Sequence, residues 1–253
     1  MNRTGLIVAL AIAVIVGLVF GFYPQLDLMI SAPFYAIKRG SNDFGLHVDD
    51  TIGVARDAGL WVGTLVILPV LGALAIKLLR PRRRLLISGR AITFLIATLA
   101  LGPGLFVNVL LKDHWGRPRP IDVTQFGGDQ HFVAWWDPRG DCPKNCSFVS
   151  GDVSGAFWTL APAALAPPQW RALAYGAALA LGTGMAALRL AAGAHFLTDA
   201  VFAGVFTFLI IWIVHGLIYR WPRTRLSDEA VERTLEWFST SIAGIFNKRK
   251  SEL

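Results

Sequence analysis

The chain has 253 residues, 54% of them hydrophobic and only 16% charged, with a formal net charge of +7 at pH 7. This excludes an ordinary soluble domain, in which about a quarter of residues are charged; the charges cluster between long apolar runs, as in a multi-span helical membrane protein. The positive balance does not indicate nucleic acid either, because the basic residues stand at the ends of apolar runs, where they set topology, and form no separate face.

The first apolar run, Leu6 to Phe22, is longer than the ~7–15 residues of a signal-peptide core and no A-x-A site follows. It is read as a retained first span, Gly5–Tyr23. Pro24–Asp57 carries Pro24, Pro33, Lys38, Arg39, Asp43, His47, Asp49 and Asp50 and lacks a long apolar run, which places it outside the bilayer or along its surface. Ala58–Leu79 is the second span, stopped by Arg80-Pro-Arg-Arg-Arg84, and Ile87–Leu111 is the third. Lys112–Ser150 is rich in Pro, Gly, Asp and Trp, which predicts an ordered loop, with Trp135 and Trp136 as interface anchors. Gly151–Leu165 is a short fourth span ended by Pro167-Pro168; Ala172–Leu190 is the fifth and His195–Tyr219 the sixth.

The tail opens with Arg220-Trp-Pro-Arg-Thr-Arg225. Ser227 then caps a helix with Asp228 and Glu229 in its first turn. Val231, Leu235, Phe238, Ile242 and Ile245 follow at helical spacing, an amphipathic stripe for the membrane surface or a partner, and Lys248-Arg249-Lys250 ends it. The expected fold is all-α: a six-span transmembrane bundle over residues 1–225 with an outward-facing active site, and a cytoplasmic amphipathic helix over 226–253.

Arg3, the Arg80–Arg90 cluster, Arg171, Arg220–Arg225 and Lys248–Lys250 fall on one side of that bundle, the cytoplasmic side by the positive-inside rule. Pro24–Asp57, Lys112–Ser150 and Leu190–Ala194 then face outward. The long outer loop nevertheless carries Lys112, Arg117, Arg119, Arg139 and Lys144, so these cations need a role other than topology. Cys142 and Cys146 lie in the same loop, where a disulfide persists. Their spacing is compatible with a small bridged loop and with two free thiols.

Topology brings three polar clusters to the outer end: Lys112-Asp-His-Trp-Gly-Arg-Pro-Arg119-Pro120, then Ser147-Phe-Val-Ser150-Gly151-Asp152, then Arg189 with His195 and Asp199. Cations beside the amides of a helix start form an anion site, most naturally for phosphate. His195 and Asp199, four apart, share one helix face. Such a pair is either a structural brace or a base or nucleophile oriented by a carboxylate. No cluster of His and carboxylates accompanies them, so neither metal nor cofactor is expected, and the chemistry reads as metal-free phosphate-ester cleavage.

The spacing Lys112-x6-Arg119-Pro120, Ser150-Gly151 and Arg189-x5-His195-x3-Asp199 resembles the type 2 phosphatidic acid phosphatase family, whose pattern is K-x6-R-P, P-S-G-H and S-R-x5-H-x3-D. The likeness covers Lys112–Asp199 and the six-span layout. It implies that Lys112, Arg119 and Arg189 hold the phosphate oxygens, with hydrogen bonds from Ser150 and the Gly151 amide. It further implies that His195 attacks phosphorus to form a phosphohistidine, that Asp199 fixes the His195 tautomer and steadies its charge, and that water releases phosphate.

The chain departs from the pattern at two positions. Val149 replaces the proline, and Asp152 replaces the histidine that serves as general acid. An aspartate of ordinary pKa, ~3.9, is ionised at neutral pH and donates poorly. Three readings stay open: burial raises Asp152, which still acts as the acid; His114 substitutes; or the leaving group needs little protonation, as an anomeric sugar phosphate or pyrophosphate would. A fourth makes Asp152 only a helix cap. Within the family, the Ser-Phe-Val-Ser-Gly-acid form and compact size resemble the bacterial lipid A phosphatases, which implies a lipid phosphate met at the periplasmic face of the inner membrane. Undecaprenyl pyrophosphate, phosphatidylglycerol phosphate, lipid phosphotransfer and non-catalytic lipid binding are the alternatives. The partners expected are the lipid substrate and the bilayer.

Overall fold

The computed structural model describes residues 2–35, 44–47 and 49–251, with side chains through residue 241. Lys38, Arg39 and Asp43, and the side chains of Ile242, Ile245 and Lys248–Lys250, lie outside the described residues. Every regular element described is helical: α1 (Arg3–Phe22), α2 (Gln25–Ser31), α3 (Asp50–Leu79), α4 (Gly89–Leu99), α5 (Gly151–Phe157), α6 (Leu160–Leu165), α7 (Pro168–Ala191), α8 (Leu197–His215) and α9 (Asp228–Ser251). Five helical stretches are long and apolar enough to cross a membrane: Arg3–Phe22, Asp50–Leu79, Gly89–Leu111, Pro168–Ala191 and Leu197–Arg220.

The ends and interruptions of these helices have local causes. Asn2 caps α1 by accepting from the Gly5 amide at 3.0 Å. Helix α3 begins at Asp50, well before the apolar run, with the Asp49 carboxylate accepting from Thr51 N at 2.9 Å. Hydropathy sets this boundary at Ala58; the helix instead begins at Asp50 and takes in Arg56 and Asp57. Helix α4 continues as a wider π-helical stretch, Ala100–Leu111, holding Pro103. Proline lacks an N–H and its ring crowds the carbonyl four residues back, which opens the turn; the Lys112 amide reaches back to the Val107 carbonyl at 3.0 Å.

The fourth apolar run, Gly151–Leu165, is interrupted between α5 and α6. Pro162 has no N–H to give the Trp158 carbonyl, which accepts instead from Ala161 at 2.8 Å in a tighter turn. Neither piece alone reaches spanning length, so this run is a broken pair of helices.

The chain forms two compact units. The first comprises Met1–Gly63 and Thr98–Trp212. Its core gathers Val107, Phe148, Val153, Met185, Phe202 and Ala203, with Trp115 stacked on Phe148 at 5.0 Å and Trp135 on Phe202 at 4.4 Å. Trp135 is therefore a core residue, whereas Trp136 stays exposed. Such ring pairs add about 0.5–1.5 kcal/mol beyond area burial. Ser154 and Thr207 hydrogen-bond at 2.7 Å between α5 and α8, and Trp158 donates to Thr98 at 3.0 Å.

A smaller core of Phe44, Val123, Phe126 and Phe196 backs the turn between α7 and α8. Gly193 sits in that turn at φ +62°, and a Cβ there would come within 2.3 Å of the Phe44 ring. Both the left-handed backbone and the close ring demand glycine.

The second unit comprises Thr64–Ala97 and Ile213–Leu253. Ser227 caps α9 by accepting from the Ala230 amide at 3.1 Å. Three acids of α9 bind the rest of this unit. Asp228 binds Arg90, Glu232 accepts from the Leu85 amide at 3.0 Å, and Glu236 pairs with the buried Lys77 at 2.6 Å. Of the stripe, Val231 packs against Gly89 while Phe238 remains exposed.

Candidate active site

Lys112 follows the last π-helical turn, and the chain after it is strapped to the Cys142–Ser147 segment. Cys142 N donates to the Gly116 carbonyl (3.0 Å), Cys146 N to Lys112 (2.9 Å) and Ser147 N to Arg117 (2.8 Å). A Cys142–Cys146 disulfide closes this segment, with Cα atoms 5.7 Å apart. Inside the closed loop Asn145 takes a left-handed φ of 53°, which asparagine tolerates better than most residues. Its Oδ1 accepts from Lys112 Nζ at 3.0 Å and its carbonyl from Arg119 Nη2 at 2.9 Å. One residue thus holds two of the expected phosphate cations.

Ser150 is buried and caps α5, its hydroxyl accepting from Val153 N at 3.4 Å. Gly151 opens that helix against Lys112: a Cβ there would lie 2.6 Å from Asn108 Oδ1 and 3.4 Å from Lys112 Nζ. Asp152 is held by two guanidiniums. Arg56 Nε and Nη2 donate to its two oxygens at 2.7 and 3.3 Å, and Arg189 Nε stands 3.2 Å away. A carboxylate clasped by two fixed positive charges favours its ionised form.

His195 is buried, and its Nδ1 lies 2.8 Å from the Ser147 carbonyl. A carbonyl can only accept, so Nδ1 carries the proton and Nε2 the lone pair. Burial, then the charges of Arg119, Arg189 and Lys112, push the imidazole well below its usual 6.5, against a smaller upward effect of the Ser147 carbonyl. The ring is therefore neutral beside three cations. Burial and the adjacent Arg119 also lower the Lys112 ammonium from its ordinary range, with Asp152 opposing.

Asp199 Oδ2 stands 4.0 Å from His195 Nδ1, within ion-pair range but beyond hydrogen-bond reach. Its oxygens are taken by the Ser147 hydroxyl, the Phe196 amide at 2.8 Å and Arg117 Nη1. Arg117 is wholly buried and bridges Asp199 to the equally buried Asp27 of α2, 2.8 Å from Nη2, while its guanidinium lies 4.5 Å over the Phe196 ring. Asp27 also accepts from Thr198 N and Oγ1 at 3.1 and 2.6 Å. Asp199 thus reaches His195 through Ser147 and is one corner of a buried Asp27–Arg117–Asp199 triad.

The structure gathers Lys112, Arg119, Gly151, Asp152, Arg189 and His195, with Ser150 capping beside them. His114 is exposed, and its ring turns back on the Val109 and Leu110 carbonyls at 3.1 Å each. Sequence reasoning missed four participants. Asp27 and Arg56 lay in a segment read as peripheral, Asn145 was only a residue between cysteines, and Arg117 was one cation in a basic run. Their sole signal was a charged or amide side chain close to an apolar run.

A neutral buried imidazole beside three cations, in a chain with five helices long and apolar enough to cross a membrane, suits an anion. Comparison with known proteins carries this to a family. The chain belongs to the PAP2 superfamily, whose family model matches residues 91–225. It is 36% identical over 225 residues to the "Lipid A 4'-phosphatase" of Francisella tularensis subsp. novicida (strain U112), covering 87% of this chain and 98% of that protein. A protein of the same name from Rhizobium leguminosarum is 43% identical over 106 residues, 42% of this chain and 46% of that one. Another, from Rhizobium etli, is 42% identical over 104 residues, 41% of this chain and 40% of its own length. No solved structure matches the chain. The protein is a membrane lipid phosphatase.

Proposed function

We propose that the protein removes a phosphate monoester from lipid A at the periplasmic face of a bacterial inner membrane, through a phosphohistidine on His195. The observation that carries this reading is His195, neutral, with Nδ1 tied to the Ser147 carbonyl and the charges of Arg119, Arg189 and Lys112 around it. The three relatives named as lipid A 4'-phosphatases support the substrate. The basic residues of the opposite end support the orientation. The broken α5–α6 pair, counted as one crossing, completes six spans and returns both termini to the cytoplasm.

His195 Nε2 attacks phosphorus, the bond from phosphorus to the sugar oxygen breaks, and the leaving oxygen takes a proton. Lys112, Arg119 and Arg189 stabilise charge on the phosphoryl oxygens. Water then attacks the phosphohistidine, releasing phosphate and restoring the imidazole.

Asp152 positions Arg189 and Arg56 in this scheme. With that carboxylate clasped by guanidiniums, the Lys112 ammonium, lowered by burial and Arg119, is the group we assign to protonate the leaving oxygen.

The test is release of phosphate from a panel of lipid A, undecaprenyl pyrophosphate, phosphatidylglycerol phosphate and phosphatidate, with chelator present. Lipid A is expected to be the preferred substrate, and His195→Ala to be inactive. Faster turnover of another member, or full activity of His195→Ala, would overturn the assignment.

A further inference from the structure

An apolar cavity of about 740 Å³ opens between α1 and the face formed by α6, α7 and α8. It lies in the ~300–1,000 Å³ range of ligand sites. Val8 and Ile12 of α1, Leu179 of α7, and Val205 and Phe208 of α8 line it. Only 11% of the α1 apolar window is buried inside the protein, so most of this helix faces outward.

Arg171 and Tyr175 line the cavity toward one end. They are four apart on α7 and share a face. Arg171 stands in the first turn of α7 and Arg189 in the last, about 27 Å apart along the axis. This end is thus remote from His195. The Tyr175 hydroxyl is buried with no hydrogen-bond partner. Arg171 donates through Nε and Nη2 to the Ala166 carbonyl at 3.2 and 3.1 Å; Nη1 makes neither bond. Asn2 lines the same end, with Arg3 beside it in the chain.

An unmet hydroxyl next to hydrocarbon is costly, and a cation at a membrane surface attracts anionic headgroups. An acyl chain would fill the apolar length of the cavity, and a phosphate or ester oxygen would satisfy Tyr175 and Arg171 together. We propose that this cavity holds one anionic phospholipid of the leaflet opposite the active-site end, its chain along α1 and its phosphate on Arg171 and Tyr175. The lipid is a bound component, separate from the substrate, and the proposal does not rest on the identity of that substrate.

Native mass spectrometry of the detergent-purified full chain, supplied with equal phosphatidylglycerol and phosphatidylcholine, tests this. One retained phosphatidylglycerol is expected, preferred by about tenfold or more. Arg171→Gln/Tyr175→Phe should lose the preference, Val8→Trp should expel both lipids by filling the groove, and His195→Ala should retain phosphatidylglycerol as the wild type does. Equal retention of phosphatidylglycerol by wild type and by a folded Arg171→Gln/Tyr175→Phe variant would overturn the proposal, as would loss of the lipid in His195→Ala.

Discussion

Replacing Arg117 by methionine removes the cation from the buried triad while keeping most of the side-chain volume. Arg117 is wholly buried and binds Asp199, Asp27 at 2.8 Å, Thr198 Oγ1 at 2.7 Å and the Val133 carbonyl at 3.2 Å. Its loss leaves Asp27 and Asp199, themselves buried, without a countercharge. Removing one partner of a buried pair costs about 3–5 kcal/mol, because the other charge stays uncompensated. Here one cation serves two carboxylates, so the loss falls on both. Asp27 retains the Thr198 amide and hydroxyl, and Asp199 retains Ser147 and Phe196; these bonds keep the loss from doubling. A cost near 4 kcal/mol is a large part of the ~5–15 kcal/mol that holds a typical protein folded. At ~2–4 °C per kcal/mol for a chain of this size, the midpoint should fall by roughly 8–16 °C. Thermal unfolding in detergent, followed by tryptophan fluorescence, reads this directly. Arg117→Lys should fall between, since it keeps the charge but cannot bridge both carboxylates. A midpoint for Arg117→Met unchanged from wild type would refute the reasoning and make the triad incidental.

Asn145→Ala deletes the bond to Lys112 but keeps the carbonyl that holds Arg119; losing about 1 kcal/mol of positioning should lower kcat/KM about fivefold, and an unchanged kcat/KM would deny Asn145 its role. Asp152→Asn keeps the shape and removes the charge, so kcat should stay within about tenfold and inorganic phosphate should inhibit more strongly; a loss in the ~10²–10⁴ range would instead mark Asp152 as the proton donor. In the pH profile of kcat/KM, His195 must be neutral to attack. Its lowered value means that activity rises with pH through a point below 6.5 and is already on its plateau there. The basic limb, where Lys112 loses its proton, should likewise fall below the 10.5 of an ordinary lysine. An acid limb at or above 6.5 would contradict the environment described for His195.

The parts of the site legible in the sequence are those that the chain fixes by covalent spacing. Arg189, His195 and Asp199 straddle one helix junction, and Lys112 and Arg119 bound one short segment, so their order alone locates them. The contacts that make these residues work are tertiary. Asp27 and Arg56 arrive from α2 and α3 across long sequence separations, and no local pattern pairs them with Arg117 or Asp152. The group that orients His195 is a backbone carbonyl of Ser147, which a side-chain motif cannot display. The i,i+4 spacing sets Asp199 beside His195, but its hydrogen bonds go to Arg117, Ser147 and the Phe196 amide, partners that the spacing does not show. Hydropathy located the long apolar helices but not their hydrogen-bonded extensions, hence the early start of α3. The break between α5 and α6 turns on a single missing N–H at Pro162. On α9 the apolar stripe was readable, yet Lys77 and Arg90 bind the acids beside it.

The most direct test of the account is to trap the phosphoryl group on the enzyme. The purified protein, given lipid A carrying labelled phosphate and quenched in alkali within a single turnover, should carry an acid-labile, base-stable label that peptide mapping assigns to His195, and His195→Ala should carry none. Phosphate release by the wild type with no labelled enzyme at any time, or an equally labelled His195→Ala, would contradict a phosphohistidine at this residue.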